Sequence, residues 1–263
     1  MLEICNLTSG YDSKFFLKDI NLKVEGKDFV GVIGPNGSGK TTLLRAITKI
    51  IKPHKGEILF EKENLEKLSF KEVAKKIAVV SQAREIELKM SVEEFVLLGR
   101  IPHRRKWQFL ETISDEKIAE EAMVSTDTLK FKDRFVETLS AGERQLVFIA
   151  RALTQQPKLF LLDEPTSHLD IAHQIKILDL IKRLNKEVDL TVIIVLHDLN
   201  LAGEYCDKII LMNNGCIYKT GLPVEVLTYQ IIEEVYKTVV VVKENPISAK
   251  PHVFLVPNET GLK

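Results

Sequence analysis

A glycine-rich stretch near the amino terminus has the residue types and spacing of a phosphate-binding loop. Its glycines would let the backbone wrap closely around phosphate oxygens, where a Cβ atom would collide. Lys40 could reach the β- and γ-phosphates of a nucleoside triphosphate, and the Thr41 hydroxyl could bind Mg²⁺. The stretch follows the pattern G-x-x-x-x-G-K-S/T and consists of Gly34, Pro35, Asn36, Gly37, Ser38, Gly39, Lys40, Thr41 and Thr42.

The flanking sequence supports this interpretation. Residues 29–33 form a short apolar run that predicts a buried strand, and the apolar spacing of residues 41–47 predicts a helix. A strand that turns sharply into a helix directs several backbone N–H groups into one small space, and the helix N-terminus adds about half a positive charge there. A glycine-rich turn that carried Lys-Thr by chance would lack this context.

Two later strands are also predicted to end in polar residues. The apolar run 159–162 ends at Asp163 and Glu164, and the run 190–196 ends at His197. Continuous apolar runs are typical of strands that are covered on both faces of a sheet. The carboxyl ends of parallel strands share one edge of the sheet, where ligands bind. We therefore expect these residues to belong to the same site as the phosphate loop.

The residue types suggest a role for each of these side chains. Asp163 could organise Mg²⁺, and Glu164 could polarise an attacking water molecule. Adjacent carboxylates repel each other, so both stay ionised only near a cation, which Mg²⁺ and Lys40 would supply. His197 could donate a hydrogen bond to the γ-phosphate. The alternatives are a helix-capping acidic pair and an ordinary structural histidine.

Two further residues are candidates because of their position. Tyr11 lies about twenty residues before the phosphate loop and could stack on an adenine ring; otherwise it is an exposed turn residue. Gln82 follows the predicted strand 77–80 and could coordinate Mg²⁺ and orient water. Its alternative is an ordinary loop glutamine.

Composition limits the classes of protein. The chain has 263 residues, of which 45% are apolar, enough for a large core. Lys and Arg together number 37, as do Asp and Glu, so the chain lacks the basic excess typical of duplex-binding proteins. No apolar run approaches 18 residues, and the N-terminus lacks the features of a signal peptide. Three scattered cysteines suit a reducing compartment better than a disulfide scaffold.

The order of predicted elements indicates an α/β fold with a mostly parallel sheet, an antiparallel β part and an inserted helical subdomain. We expect one domain, 1–263, in which 1–83 and 157–222 form the α/β core with its antiparallel part, 84–156 the helical subdomain, and 223–263 a C-terminal helix and small hairpin. Within the helical part, the basic cluster of His103, Arg104, Arg105 and Lys106 is interpreted either as a site for anionic lipid headgroups or a partner, or as a solvated face.

Residues 139–143, Leu-Ser-Ala-Gly-Glu, complete a set of motifs that resembles the ATPase subunits of ABC transporters over nearly the whole chain. The family signature is usually Leu-Ser-Gly-Gly-Gln, so Ala141 and Glu143 depart from it. Ala141 would matter only if its position required a positive φ. By resemblance, Tyr11 stacks on adenine, Gln82 is the Q-loop glutamine, Glu164 the general base or water-polarising residue, Ser167 to Asp170 the D-loop, and His197 the switch histidine.

The resemblance implies ATP and Mg²⁺ as cofactors and a head-to-tail homodimer. Each ATP would lie between one subunit's phosphate loop and the other subunit's signature, namely Ser140, Ala141, Gly142 and Glu143. The helical subdomain and the region of Gln82 would face a membrane permease at the cytoplasmic face of the cell membrane. An extracytoplasmic substrate-binding protein would be an indirect partner, and no nucleic acid is expected.

Two stretches resemble one subgroup, the importers of iron–siderophore complexes, haem or vitamin B12. They are residues 96–103 and 197–202. One alternative is a soluble ABC ATPase that acts on nucleic acid or ribosomes, but such proteins usually carry a long coiled coil or two cassettes in one chain. Another is a phosphate-loop kinase or GTPase, against which residues 139–143 and His197 argue.

Overall fold

The computed structural model describes residues 1–11, 15–81, 89–105, 108 and 110–257. The chain divides into two compact units, each described separately below. The first comprises Met1–Lys67 and Ile193–Lys263, and the second comprises Leu68–Val192.

The strands, in chain order, are β1 (Leu2–Tyr11), β2 (Phe15–Val24), β3 (Phe29–Ile33), β4 (Pro53–Phe60), β5 (Glu63–Asn64), β6 (Ile77–Ser81), β7 (Leu159–Asp163), β8 (Thr191–Val195), β9 (Lys208–Asn213), β10 (Cys216–Gly221), β11 (Val240–Glu244) and β12 (Pro251–Leu255). The α-helices are α1 (Lys40–Ile47), α2 (Phe70–Lys76), α3 (Val92–Leu97), α4 (Ile113–Ser125), α5 (Ala141–Leu153), α6 (Ile171–Glu187), α7 (Leu199–Tyr205), α8 (Pro223–Val226) and α9 (Tyr229–Tyr236).

The first unit contains an antiparallel sheet and a mixed one. The antiparallel sheet has the order β2-β1-β4-β5, and the mixed sheet runs β10-β9-β3-β8, with β3 and β9 parallel. Residues 213–215, Asn-Asn-Gly, are a turn signal that predicts a hairpin, and β9 and β10 form it. The turn residues Asn214 and Gly215 have φ values of 48° and 80°. Positive φ at both central residues is the geometry that an Asn-Gly turn favours. The predicted terminal hairpin is also confirmed, as β11 and β12.

The second unit contains the order β8-β7-β6, with β6 and β7 parallel, together with α2 to α6. Thr191 and Val192 of β8 belong to this unit. Between residues 89 and 156 the described part of the chain has helices and one isolated bridge, Ser91 with Phe135, but no strand. Helices α3, α4 and α5 pack against one another there, as expected for a helical region.

Reciprocal capping explains where four helices of the second unit begin. In each, a Ser or Thr side chain accepts a hydrogen bond from the backbone three residues later, and the acidic residue there bonds back to the capping residue. The pairs are Ser69 with Glu72, Ser91 with Glu94, Thr112 with Asp115, and Ser140 with Glu143. Ser69 followed by Glu72 three residues later is a capping-box pattern that predicts a helix start, and the structure confirms it.

Two predicted details are wrong. The sequence predicts one helix from Pro223 to about Glu234. The structure has two short helices there, because α8 ends at Val226 and Thr228 caps the start of α9. The sequence also predicts a strongly amphipathic helix over residues 114–124. In the structure α4 buries Ala119, Ala122, Met123 and the acidic Asp115, while Ile113 and Val124 are exposed.

Asp115 is buried because Arg100 pairs with it. Arg100 Nε lies 2.8 Å from Asp115 Oδ1, and Arg100 also donates to the Thr154 carbonyl oxygen at 2.6 Å. Burial raises the pKa of Asp115, but hydrogen bonds from Arg100 and Thr112 prevail and lower it to about 2. Arg100 belongs to the subgroup-like stretch 96–103, so this part of the stretch has a structural role in holding the helices of the second unit together.

The core strands are apolar, as the sequence predicts. β3 and β8 are buried along their entire length, and β7 is buried up to its final residue, Asp163. Polar residues therefore begin where the buried strands end. Within the described residues, no helix combines the length and apolar character needed to cross a bilayer.

Candidate active site

The phosphate loop connects β3 to α1 in the first unit. Its glycines all have positive φ: 146° at Gly34, 76° at Gly37 and 105° at Gly39. Gly34 is also crowded, because a Cβ atom there would lie 2.2 Å from the carbonyl oxygen of Met212 in β9. Only glycine satisfies both the backbone conformation and the close approach at this position.

Two polar side chains are buried within this loop. The Lys40 ammonium group donates hydrogen bonds to the Gly34 carbonyl oxygen at 2.8 Å and to the Pro35 carbonyl oxygen at 3.0 Å. The Ser38 hydroxyl is buried and has no hydrogen-bond partner among the described residues. A buried hydroxyl without a partner is uncommon in native proteins and points to a missing ligand. The loop therefore fits an anionic triphosphate.

The C-terminal part of the first unit supports the loop from behind. The Gly215 N–H donates to the Ser38 carbonyl oxygen at 3.1 Å. Tyr236, the last residue of α9, accepts a hydrogen bond from the Gly34 N–H through its phenol oxygen. Burial raises the pKa of Tyr236 to about 12, although this hydrogen bond acts to lower it. The loop is thus tied to segments about 180 to 200 residues later in the chain.

His197 lies in the same unit, just after β8. The next residue, Asp198, caps α7 by accepting hydrogen bonds from the N–H groups of Asn200 at 2.8 Å and Leu201 at 3.0 Å. His197 is exposed and lines a cavity of about 310 Å³ together with Tyr236. Tyr236 therefore contacts the phosphate loop and also borders the cavity that His197 lines.

The acidic pair lies in the second unit, at the end of β7. Asp163 pairs with Ser81 in the parallel register of β6 and β7. Glu164 has a φ of 53°, which is uncommon outside glycine and is often found at functional sites. The Ser167 hydroxyl donates to Glu164 Oε2 at 3.2 Å, so the turn that follows β7 contacts the carboxylate. Gln82, predicted to lie beside this pair, is outside the described residues.

The signature residues form the capped N-terminus of α5. The Ser140 hydroxyl accepts from the Glu143 N–H at 3.3 Å, and Glu143 Oε2 accepts from the Ser140 N–H at 2.9 Å. The hydrogen bond from the Ser140 backbone is the largest contribution that lowers the pKa of Glu143. Ala141 is the first helical residue and does not have a positive φ. Neither departure from the usual signature disturbs the local backbone.

The basic cluster of the helical region is partly used within the second unit. His103 Nε2 lies 2.9 Å from the Gln155 carbonyl oxygen, Arg104 forms an ion pair with Glu111, and Arg105 is exposed. Lys106 lies outside the described residues, as does the side chain of Tyr11 at the end of β1.

The structure therefore brings the phosphate loop and the cavity beside His197 together in the first unit, and places Asp163, Glu164 and the signature in the second.

Sequence reasoning missed Tyr236 and Met212, whose contacts with Gly34 have no local sequence signal. It also missed His173, whose imidazole ring covers the signature residue Gly142.

The strand–loop–helix geometry and the strand ends define a phosphate-loop ATPase, and the comparison with known families agrees. A family model described as ABC transporter matches residues 17–167. The chain belongs to this family. It is an ATP-binding subunit of the transporter type, and it hydrolyses ATP.

Similar relatives include two importer subunits. The chain is 36% identical to the iron(3+)-hydroxamate import ATP-binding protein FhuC of Bacillus subtilis, covering 96% of this chain and 95% of the relative. It is 36% identical to the ferric enterobactin transport ATP-binding protein FepC of Escherichia coli, covering 94% of this chain and 91% of the relative. The similarity therefore extends well beyond the segment that the family model matches.

Solved structures give the same fold. A chain of an ABC transporter described as of the metal-chelate type, in an inward-facing conformation, superimposes with a TM-score of 0.86 at 28% identity and covers 98% of both chains. A dimeric structure of the bacterial ABC transporter cassette MJ0796 superimposes with a TM-score of 0.73 at 32% identity, covering 85% of this chain and 99% of that one.

Proposed function

We propose that this ATPase energises a separate membrane permease from the cytoplasmic face of the membrane, and that the transporter imports iron–siderophore, haem or cobalamin-type cargo. The observation that carries this proposal is the full-length similarity to the FhuC and FepC import subunits. The similarity includes the residues beyond 167, where the family model ends. The cargo itself would contact the permease and a substrate-binding protein, and not this chain.

Each site residue has a proposed role in hydrolysis. Tyr11 stacks on adenine, and Lys40 and the rest of the phosphate loop, residues 34–42, bind the phosphates. Thr41, Gln82 and Asp163 would hold Mg²⁺, which would neutralise negative charge on the triphosphate. Glu164 polarises the attacking water and His197 donates a hydrogen bond to the γ-phosphate. The Ser38 hydroxyl, which lacks a hydrogen-bond partner within the part of the chain that the structure describes, and the positive-φ glycines support the binding role of the loop.

We further propose that two copies pack head to tail. Ser140, Gly142 and the N-terminus of α5 would then place positive potential on the γ-phosphate bound by the other copy. The 13-residue length of α5 gives that N-terminus a full macrodipole. In this arrangement Ser167 and Asp170 of the D-loop lie at the dimer interface. The dimeric form of the similar cassette MJ0796 supports this proposal.

The helical region 84–156 and the segment around Gln82 are proposed as the contact with the permease. The domain division made from the sequence stays a proposal of the same kind: one domain, with 223–263 as a C-terminal addition. Tyr236 belongs to this C-terminal segment and contacts the phosphate loop. This contact supports a role for the segment within the ATPase itself.

The experiment that tests the transport role is ATP hydrolysis by the full chain with its permease in lipid nanodiscs. We expect the permease to raise the rate and a loaded substrate-binding protein to raise it further. The alternative is a soluble ABC ATPase acting on nucleic acid or ribosomes. Stimulation by ribosomes or DNA, with none by the permease, would favour that alternative and contradict the proposal.

A further inference from the structure

The imidazole ring of His173 lies directly against the signature residue Gly142. A Cβ atom on Gly142 would be 2.1 Å from Cδ2 of His173 and 2.7 Å from its Cγ. Both distances are far shorter than any ordinary contact, so a side chain at position 142 would displace the ring. His173 is the third residue of α6, and Gly142 is the second residue of α5. Both belong to the second unit.

The same imidazole is bound to the last residue of the D-loop. Nδ1 of His173 lies 2.8 Å from Oδ2 of Asp170, and the His173 backbone N–H donates to Oδ1 at 2.9 Å. These hydrogen bonds, the backbone one first, hold the pKa of Asp170 below its usual value. The backbone bond alone caps α6. The side-chain bond is therefore not needed to begin the helix.

At its other end, the D-loop contacts Glu164. The Ser167 hydroxyl donates to Glu164 Oε2, and the Ser167 N–H donates to the Glu164 carbonyl oxygen at 3.2 Å. His168 and Glu164 both have positive φ, so this is a tight turn with little freedom. A continuous series of contacts therefore leads from Glu164 through the D-loop and His173 to Gly142, all within one unit.

We propose that His173 is a positioning residue that couples the D-loop to the signature of the same subunit. The ring fixes the position of Gly142, and the bond to Asp170 fixes the ring. The state of the turn after Glu164 thereby sets the placement of the signature that the other subunit's ATP meets. This inference rests on the proposed head-to-tail dimer, since only there does the signature face a phosphate.

The test compares His173→Ala and His173→Asn in the full chain. Asn can keep a hydrogen bond to Asp170 but has no ring to cover Gly142. Lys186→Ala, at an exposed position near the end of α6, is the matched control. The measurements are kcat and KM for ATP hydrolysis, fluorescent-ATP affinity of the monomer, melting temperature, and Mg-ATP-dependent dimerisation in a Glu164→Gln background.

We expect both His173 variants to lower kcat about tenfold or more, because small misplacements of a transition-state group are costly. Dimerisation should weaken in parallel. Monomer affinity for ATP should not change, because the phosphate loop lies in the other unit. The control Lys186→Ala should match the wild type in both melting temperature and activity.

Two results would overturn the coupling. One is wild-type kcat and dimerisation in His173→Ala. The other is full activity in His173→Asn, which would show that the ring contact with Gly142 is dispensable. If Glu164→Gln alone fails to dimerise with Mg-ATP, the head-to-tail dimer itself is wrong, and the coupling falls with it. If the Ala variant does not fold, the Asn variant decides between these outcomes.

Discussion

The phosphate loop and the signature are both helix N-termini, but they satisfy their backbone groups in different ways. Gly39 is the N-cap residue of α1, and among the described residues no side chain caps this helix. Ser140 is the N-cap residue of α5 and forms a complete capping box with Glu143. The Ser38 hydroxyl of the loop has no hydrogen-bond partner among the described residues, whereas the Ser140 hydroxyl accepts a hydrogen bond from the Glu143 N–H.

This difference indicates how each region would meet ATP. The phosphate loop already has its binding conformation and leaves a buried hydroxyl available for a ligand. It should therefore bind nucleotide within a single chain. The signature is satisfied by its own residues, so it should gain less from a phosphate and should engage only when a second chain presents one. With these two roles, monomers would bind ATP tightly, but only dimers would hydrolyse it.

The largest effect should come from removing the charge in the loop. In Lys40→Ala we expect hydrolysis to fall by about 10³-fold or more and ATP affinity to fall sharply, because Lys40 is a buried cation of the loop that is proposed to bind the phosphates. Stopped-flow nucleotide binding measures the affinity for ATP, and steady-state kinetics measure the rate of hydrolysis. Lys75→Ala, at an exposed position on α2, is the control. Retained ATP affinity in Lys40→Ala would remove the main contrast between the two regions.

A pair of glycine–alanine exchanges sharpens the comparison. Gly34→Ala should destabilise the fold by about 2–4 kcal/mol, since it adds strain at positive φ and a clash with Met212. Ala141→Gly should cost about 1 kcal/mol or less, because residue 141 is an ordinary helical position. Urea denaturation measures both. A similar cost for the two exchanges would show that the loop is no more constrained than the signature.

A smaller effect is expected from the support behind the loop. Tyr236→Phe removes the acceptor for the Gly34 N–H and should destabilise the fold by about 1–3 kcal/mol. ATP affinity should also fall, because the start of the loop loses a tether. Tyr229→Phe, at an exposed position on the same helix, is the control. Equal melting temperatures and ATP affinities for the two variants would contradict the role of Tyr236.

The smallest effect concerns the capping box of the signature. Because the pKa of Glu143 is lower in the folded chain than its usual value, its carboxylate stabilises the fold above that usual pKa. This contribution is lost as the pH falls through the folded pKa. Glu143→Gln should therefore lower the melting temperature slightly at neutral pH and reduce its decline in acid, so that the variant and the wild type converge at low pH. Glu120→Gln, on the exposed side of α4, is the control, and an unchanged acid decline in Glu143→Gln would contradict the assignment.

Local patterns explain what the sequence could predict. Apolar runs located β3, β7 and β8, the Asn214-Gly215 pair located a hairpin, and Ser69 with Glu72 located a helix start. The set of motifs that residues 139–143 complete identified the family, which the comparisons confirm. Each of these signals lies within a few consecutive residues, so periodicity and motif spacing are enough to recognise it.

The contacts that sequence reasoning missed join distant parts of the chain. Tyr236 reaches Gly34 across about 200 residues, and His173 reaches Gly142 from the next helix. Neither tyrosine nor histidine at those positions has a local pattern that distinguishes it from a core or surface residue. The burial of Asp115 likewise depends on Arg100, whose partner cannot be read from helical spacing. Such pairings are set by tertiary packing, which overrides local propensity.

The central claim is that the signature acts on ATP bound by another chain. The most direct test is light scattering of Glu164→Gln with and without Mg-ATP, since this variant should bind ATP without hydrolysing it. The account predicts an ATP-dependent shift from the mass of one chain to the mass of two. A variant that binds Mg-ATP and keeps the mass of one chain at every concentration would contradict it.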